Sequence, residues 1–226
     1  TCGIQLSQVF NVFLTNVHST RSSIGLYILG NSGESAGSMF ISNSSFSDNR
    51  DQGVYIYQNQ NAYLVGVYFN NCQFATNGHL YAPITLARGV SISKSGTGTV
   101  EGFYFTQCNF FQNGGHGILI GPDNVEIELS VMNSVFVNNG AYAKDSFDGA
   151  YIASGVSHFK FIGNEFLNGA RGGDPSQFLQ AYGIYIVTGS SDWYMITNNR
   201  FKGNDIGAIY DGGSGSNKII VNNLGV

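Results

Sequence analysis

The chain has 226 residues, a formal net charge of −4 and only 11% charged residues, against roughly 25% in an ordinary globular domain. Its scattered Lys and Arg give no basic footprint for nucleic acid. No apolar run approaches the ~20 residues that span a bilayer, so membrane insertion is not expected either. An apolar content of 42% supplies ample core and excludes disorder.

Along the chain one phrase recurs, a glycine followed by alternating apolar residues. It stands at Gly25-Leu26-Tyr27-Ile28, Gly53-Val54-Tyr55-Ile56, Gly89-Val90-Ser91-Ile92 and Gly117-Ile118-Leu119-Ile120. It returns at Gly149-Ala150-Tyr151-Ile152, Gly183-Ile184-Tyr185-Ile186 and Gly207-Ala208-Ile209-Tyr210. A second phrase, a polar doublet with Phe two residues on and then Asn, follows at Asn43 to Asn49, Asn71 to Asn77, Gln107 to Asn113 and Asn198 to Asn204. The glycine-to-glycine period is roughly 24–36 residues, the range of solenoid repeats.

Both phrases alternate with period two and are rich in Val, Ile, Tyr and Phe, so they predict strands. The expected fold is all-β: a single-stranded right-handed parallel β-helix of seven to eight coils. It forms one domain over residues 1–226, and the abrupt start at Thr1 reads as a piece of a longer chain. Ile28, Ile56, Ile92, Ile120, Ile152 and Ile186 make one inward ladder; Leu14, Ile41, Phe69, Phe105, Val131, Phe161 and Ile196 make another. A lone coil cannot bury its apolar face, whereas stacked coils bury it continuously. Asn and Gly clusters between strands suit left-handed corners and side-chain-to-backbone bonds.

Cys2, Cys72 and Cys108 form no metal-ligand spacing and no even disulfide set. Cys72 and Cys108 share a column with Ser44, Ser134, Asn164 and Asn199, which reads as a stack of small interior residues at a turn. A disulfide between neighbouring coils is the alternative. His18, His79 and His158 lack ligand partners at a sensible spacing, so no metal and no cofactor is expected.

The strand–Asn–x–Phe–x–x–Asn rhythm resembles the pectin-lyase-like superfamily of β-helix proteins, most of all the phage tailspike depolymerases. The resemblance implies a polysaccharide partner, a location outside the cell or on a virion surface, and a homotrimer. Gly115-His116-Gly117 matches the Gly-His-Gly of polygalacturonases, but the chain has no Asp-Asp, Asn-Thr-Asp or Arg-Ile-Lys, so that assignment is rejected.

Aligned on the glycines, the preceding residue reads Ile24, Gln52, Arg88, His116, Asp148, Tyr182, Ile206. Coils lie ~4.8 Å apart, so Arg88, His116, Asp148 and Tyr182 form one file, the candidate catalytic column. Insertions at 78–87, 140–147 and 169–181 emerge over the same corner, as loops of a solenoid's binding face do. On a uronic-acid polymer Arg88 would neutralise the carboxylate while His116 and Tyr182 act as base and acid, giving β-elimination or epimerisation. Hydrolysis needs two carboxylates; Asp148 supplies one, with Asp145 or Asp174 from the loops as the second. Alternatively, the four residues form a structural hydrogen-bonded stack. Strict alternation would point this position inward, and only a turn at the glycine aims it outward.

Two outward aromatic files complete the reading. Tyr27, Tyr55, Tyr151 and Tyr185, interrupted by Ser91 and Leu119, suit a sugar-binding platform. Phe13, Phe40, Tyr68 and Tyr104, followed by Ser130, Lys160 and Met195, suit a subunit interface. Glu126 and Glu128 face outward as solvated charges. The expected function is binding and cleavage of a microbial surface or extracellular polysaccharide, by a lyase or glycoside hydrolase. The rival is a non-catalytic fibre, adhesin or glycan-binding module.

Overall fold

The computed structural model describes residues 1–78, 87–121, 125–141, 143, 146–169 and 180–225. All of its regular elements are strands, laid in three parallel sheets that run the length of the molecule. The first sheet has eight strands, from Cys2–Ser7 to Gly207–Gly213, and the second has eight, from Phe10–Thr15 to Lys218–Val221. The third has seven short strands, from His18–Ser19 to Arg200–Lys202. Each turn of the chain visits the three sheets in order and pairs with the turn before it, so the architecture is a parallel β-helix of eight coils.

The inward ladders hold in register. Leu6, Ile28, Ile56, Ile92, Ile120, Ile152 and Ile186 oppose one another along the first sheet. Leu14 through Ile196 do so along the second, with Ile220 as the last rung. On the third sheet Phe46, Phe74, Phe110, Phe136, Phe166 and Phe201 form a ring stack with centroids 4.3–6.1 Å apart. All six rings are buried. Offset stacking at this spacing adds to what burial alone provides.

The turns are where the asparagines act. Asn16, Asn43, Asn71, Gln107, Asn133, Asn198 and Asn222 have φ between 49° and 57°, the left-handed corner between the second and third sheets. Asn tolerates that region better than most side chains. At the next corner, buried amides form a ladder: Nδ2 of Asn49 donates to Oδ1 of Asn77, Asn77 to Asn113, and Asn113 to Asn139, at 2.9–3.1 Å. Asn139 continues it to Gln180 Oε1, and Gln180 to Asn204. The same Nδ2 atoms also donate to backbone carbonyls, Asn77 to Phe46 and Asn113 to Phe74.

Cys72 and Cys108 stand in the predicted column as free, buried thiols. Cys108 N–H donates to Ser134 Oγ, and Ser134 N–H to Asn164 Oδ1.

One alignment is corrected. In the last coil Tyr182 opposes Gly207 and Ile184 opposes Ile209, one residue off the glycine-to-glycine match. Register there follows the apolar Ile209 and the Tyr185–Tyr210 ring stack at 4.6 Å, because a slip by one would reverse every side chain. Ile206 therefore does not follow Tyr182 in the candidate file.

Asn113→Ala should lower unfolding free energy by roughly 3 kcal/mol, since it orphans buried partners on both adjacent coils. Urea unfolding checks this. A change under about 0.5 kcal/mol, within the range of an ordinary surface substitution, would mean the ladder carries no stability.

Candidate functional site

The first sheet's outer face carries the chemically loaded column. Arg88 and Tyr182 open their strands, while His116 and Asp148 sit two residues before theirs, in the turn. Two strand positions inward from them stand Val90, Ile118, Ala150 and Ile184, all wholly buried. The turn interrupts the alternation and swings the polar side chains toward the outer tyrosines. The imidazole of His116 lies 4.7 Å from the Tyr151 ring and edge-on to Phe147 at 5.2 Å.

His116 and Asp148 are buried, 8% and 5% exposed, and the backbone of Asp148 satisfies the imidazole. Asp148 N–H donates to His116 Nδ1 at 3.0 Å, and Asp148 Oδ2 lies 3.4 Å from the same nitrogen. The other carboxylate oxygen accepts the Tyr182 N–H at 3.1 Å. An Nδ1 that accepts from a backbone amide is unprotonated, so the neutral ring carries its proton on Nε2. Burial holds the His116 pKa below its ordinary value, against the opposing pull of Asp148. Arg88, one coil away, pushes it the same way as burial and itself donates to Ser91 Oγ at 3.3 Å.

Above this pair opens a cleft of about 480 Å³, lined by His116, Ser146, Asp148, Tyr151, Tyr182 and Tyr185 among others. Of the expected binding residues, Tyr151 and Tyr185 thus join the column. Tyr27 and Tyr55 stack on each other at 5.4 Å on earlier coils and do not line the cleft. Arg88 stands at the near end of the file but is not on the cleft wall. Asp145 and Asp174, and most of the 78–87, 140–147 and 169–181 insertions, lie outside the described residues. Their flanks, Ser146 and Ala181, do reach the cleft.

The tyrosine file is in register through Tyr27, Tyr55, Ser91, Leu119, Tyr151 and Tyr185. Its rings lie nearly parallel, 8° and 11° between planes, so part of each face is turned toward the neighbouring coil. Sequence reasoning missed Tyr210, which extends the stack once the last coil is in its true register. It also missed a second opening on the other broad face, around Trp193 and His158. Among the described residues no group of three or more His, Cys, Asp or Glu is placed to hold a metal ion.

The depressed folded-state value makes a testable statement about His116. In the unfolded chain the ring titrates near ~6.5, so stability is full above that pH and falls as pH drops through it, because only the unfolded state takes the proton. Histidine NMR should find the His116 midpoint lower than ~6.5. His116→Gln should flatten the loss of urea resistance between neutral and mildly acid pH. A midpoint at or above the ordinary value would disprove the buried neutral ring.

The comparisons agree with the architecture. No curated protein and no solved structure matches the chain. The family model described as a right-handed β-helix region matches residues 2–224, nearly the whole sequence. The chain therefore belongs to the right-handed β-helix family.

Proposed function

We propose that this β-helix is carbohydrate-active and that it binds a microbial surface or extracellular polysaccharide in the His116–Asp148–Tyr182 cleft and cleaves it there, as phage tailspike depolymerases do. The observation that carries the reading is the buried His116–Asp148 pair at the floor of an open cleft walled by tyrosines. Buried ionisable pairs are uncommon on a structural surface and concentrate at working sites. Phenols and a carboxylate suit the hydroxyls of a sugar.

Elimination fits the cleft better than hydrolysis. Among the described residues that line it, Asp148 is the one carboxylate, and hydrolysis takes two. In an elimination Arg88, one coil beyond the cleft wall, reaches the uronate carboxylate with its long side chain, neutralises it and so acidifies the adjacent C–H. In its phenolate form Tyr182 takes that proton and returns it to the departing glycosidic oxygen, while Nε2–H of the neutral His116 donates a hydrogen bond to the oxyanion that develops. The Asp148 backbone N–H orients the imidazole and holds its tautomer.

A specific observation favours the second reading, a binding module without turnover. The Nδ1 of His116 is already occupied by a backbone amide, so that nitrogen is not a free base. The two readings part on product. Uronate polysaccharides should yield unsaturated ends that absorb in the ultraviolet, and Arg88→Ala, His116→Ala and Tyr182→Phe should each cut the rate about 10²–10⁴-fold. Undiminished turnover in all three variants would place the site elsewhere, and binding with no product would leave the module.

On this reading the protein works outside the cell or on a virion, as a homotrimer packed through the first coils of the second sheet. The support is an exposed file of Phe13 and Phe40, 72% and 40% exposed, continuing to Tyr68. Light scattering should give three times the 24.3 kDa chain mass, and Phe13→Ser with Phe40→Ser should return it to one. A monomeric wild type would remove the trimer.

A further inference from the structure

The second sheet's outer face holds a cleft of about 640 Å³ that the first site does not use. Its wall is the single tryptophan of the chain, Trp193, 57% exposed. The indole stacks on the His158 imidazole, centroids 5.9 Å apart and planes within 7°. Around them stand Lys160, Met195, Asn217 and Glu128.

Backbone geometry makes this tryptophan unusual. Residues just before the in-register Val12, Met39, Val67, Phe103, Phe159 and Tyr194 all have positive φ. They are Asn11, Ser38, Gly66, Gly102, His158 and Trp193, with φ of 55°, 52°, 70°, 76°, 62° and 53°. Coils one to four fill this left-handed station with Asn, Ser and two glycines, all far smaller than an indole, while Glu128 of coil five does not adopt it. Coil six places a His there and coil seven a Trp, a bulky residue for which this conformation is an outlier. Strain of this kind clusters at ligand-binding sites, and here it falls on the residue that walls the cleft.

Charge tells what the platform faces. Glu128 accepts from the Tyr104 hydroxyl at 2.7 Å, and Asp192 accepts from both nitrogens of Asn217. Lys218 is held by Asp211 and the Gly213 carbonyl. Lys160 is exposed and has no hydrogen bond or ion pair among the described residues. The cation left unpaired at the indole is thus one lysine. Lys160 also continues the outward aromatic file, where it replaces the rings of Phe13, Phe40, Tyr68 and Tyr104.

We infer that this cleft is a second saccharide-binding site, specific for an acidic sugar whose ring stacks on Trp193 and whose carboxylate pairs with Lys160. The choice of a saccharide rests on the glycan reading of the first face; the platform and the free cation do not. In a chain of net charge −4, affinity for an acidic polymer needs such a local cation.

Because Trp193 is the chain's only tryptophan, its fluorescence reports on this cleft alone. The wild-type chain is titrated with oligogalacturonate, oligomannuronate and hyaluronan fragments, and with cello-oligosaccharides of equal length. At least one acidic probe should shift the emission and bind tenfold or more tighter than the neutral one. Lys160→Met should abolish that preference. Trp193→Gly, read by calorimetry, should lose binding tenfold or more while keeping far-ultraviolet circular dichroism, since glycine occupies the same station in coils three and four. Tyr182→Phe should leave the emission shift unchanged, which separates this cleft from the first. No emission change with any acidic probe, equal binding of neutral and acidic probes, or undiminished binding by Trp193→Gly would each overturn the proposal.

Discussion

Everything in this molecule follows from in-register parallel stacking at ~4.8 Å per coil. Each station along the solenoid meets its own counterpart above and below, so a residue is acceptable inside only if it can pack or bond against a copy of itself. Ile, Val and Phe do so by stacking apolar surface. Asparagine does so by chemistry, because one short side chain carries a donor and an acceptor, and a column of them passes hydrogen bonds indefinitely. That is why the buried polar content of the core is organised as the Asn49–Asn77–Asn113–Asn139 ladder. A buried amide without such a partner is costly, and the same logic puts Ser44, Cys72, Cys108, Ser134, Asn164 and Asn199 into a single turn column.

The file before the glycines obeys the constraint differently. It runs from Ile24 through Gln52, Arg88, His116 and Asp148 to Tyr182, so no residue meets its copy. A position this buried still requires its polar groups to be satisfied. His116 and Asp148 each meet the requirement with the backbone of the coil above. Gln52, one coil before Arg88, keeps a buried Oε1 without a partner among the described residues. Variation at a station that the fold would prefer to repeat marks this corner as a place where something other than packing was accommodated.

Much of this was legible in the sequence. Period-two alternation and the recurring glycine located the strands, both inward ladders and both aromatic files, because those columns are fixed by the same repetition that builds the solenoid. The last coil was misaligned since glycine was used as the anchor, whereas Ile209 and Tyr210 set the register. The facing of the candidate column is beyond pattern reading: alternation points it inward, and only the turn preceding Ile118 and Ala150 brings His116 and Asp148 to the cleft. Nor does a sequence state which imidazole nitrogen accepts the Asp148 amide. Trp193 was passed over because positive φ leaves no trace in hydropathy. The trace it does leave is compositional, the glycines Gly66 and Gly102 in the same column.

The aromatic files also change meaning once their geometry is known. Rings borne on adjacent coils stand about one stacking distance apart, so they pack on each other: Phe40 on Tyr68 at 4.9 Å, Tyr68 on Tyr104 at 4.7 Å, both within 7° of parallel. A ring with a neighbour on each side, such as Tyr68, has both faces spent, whereas Trp193 has a ring neighbour, His158, on one side alone among the described residues. A stacked file is therefore a poor platform, and openings arise where the file breaks. The first file breaks at Ser91 and Leu119, where Arg88 covers the serine and His116 meets Tyr151. The second breaks at Ser130 and Lys160, beside Trp193. On a solenoid whose interior must repeat, recognition is written as interruptions of the outer repeat. The two clefts described above lie beside such interruptions.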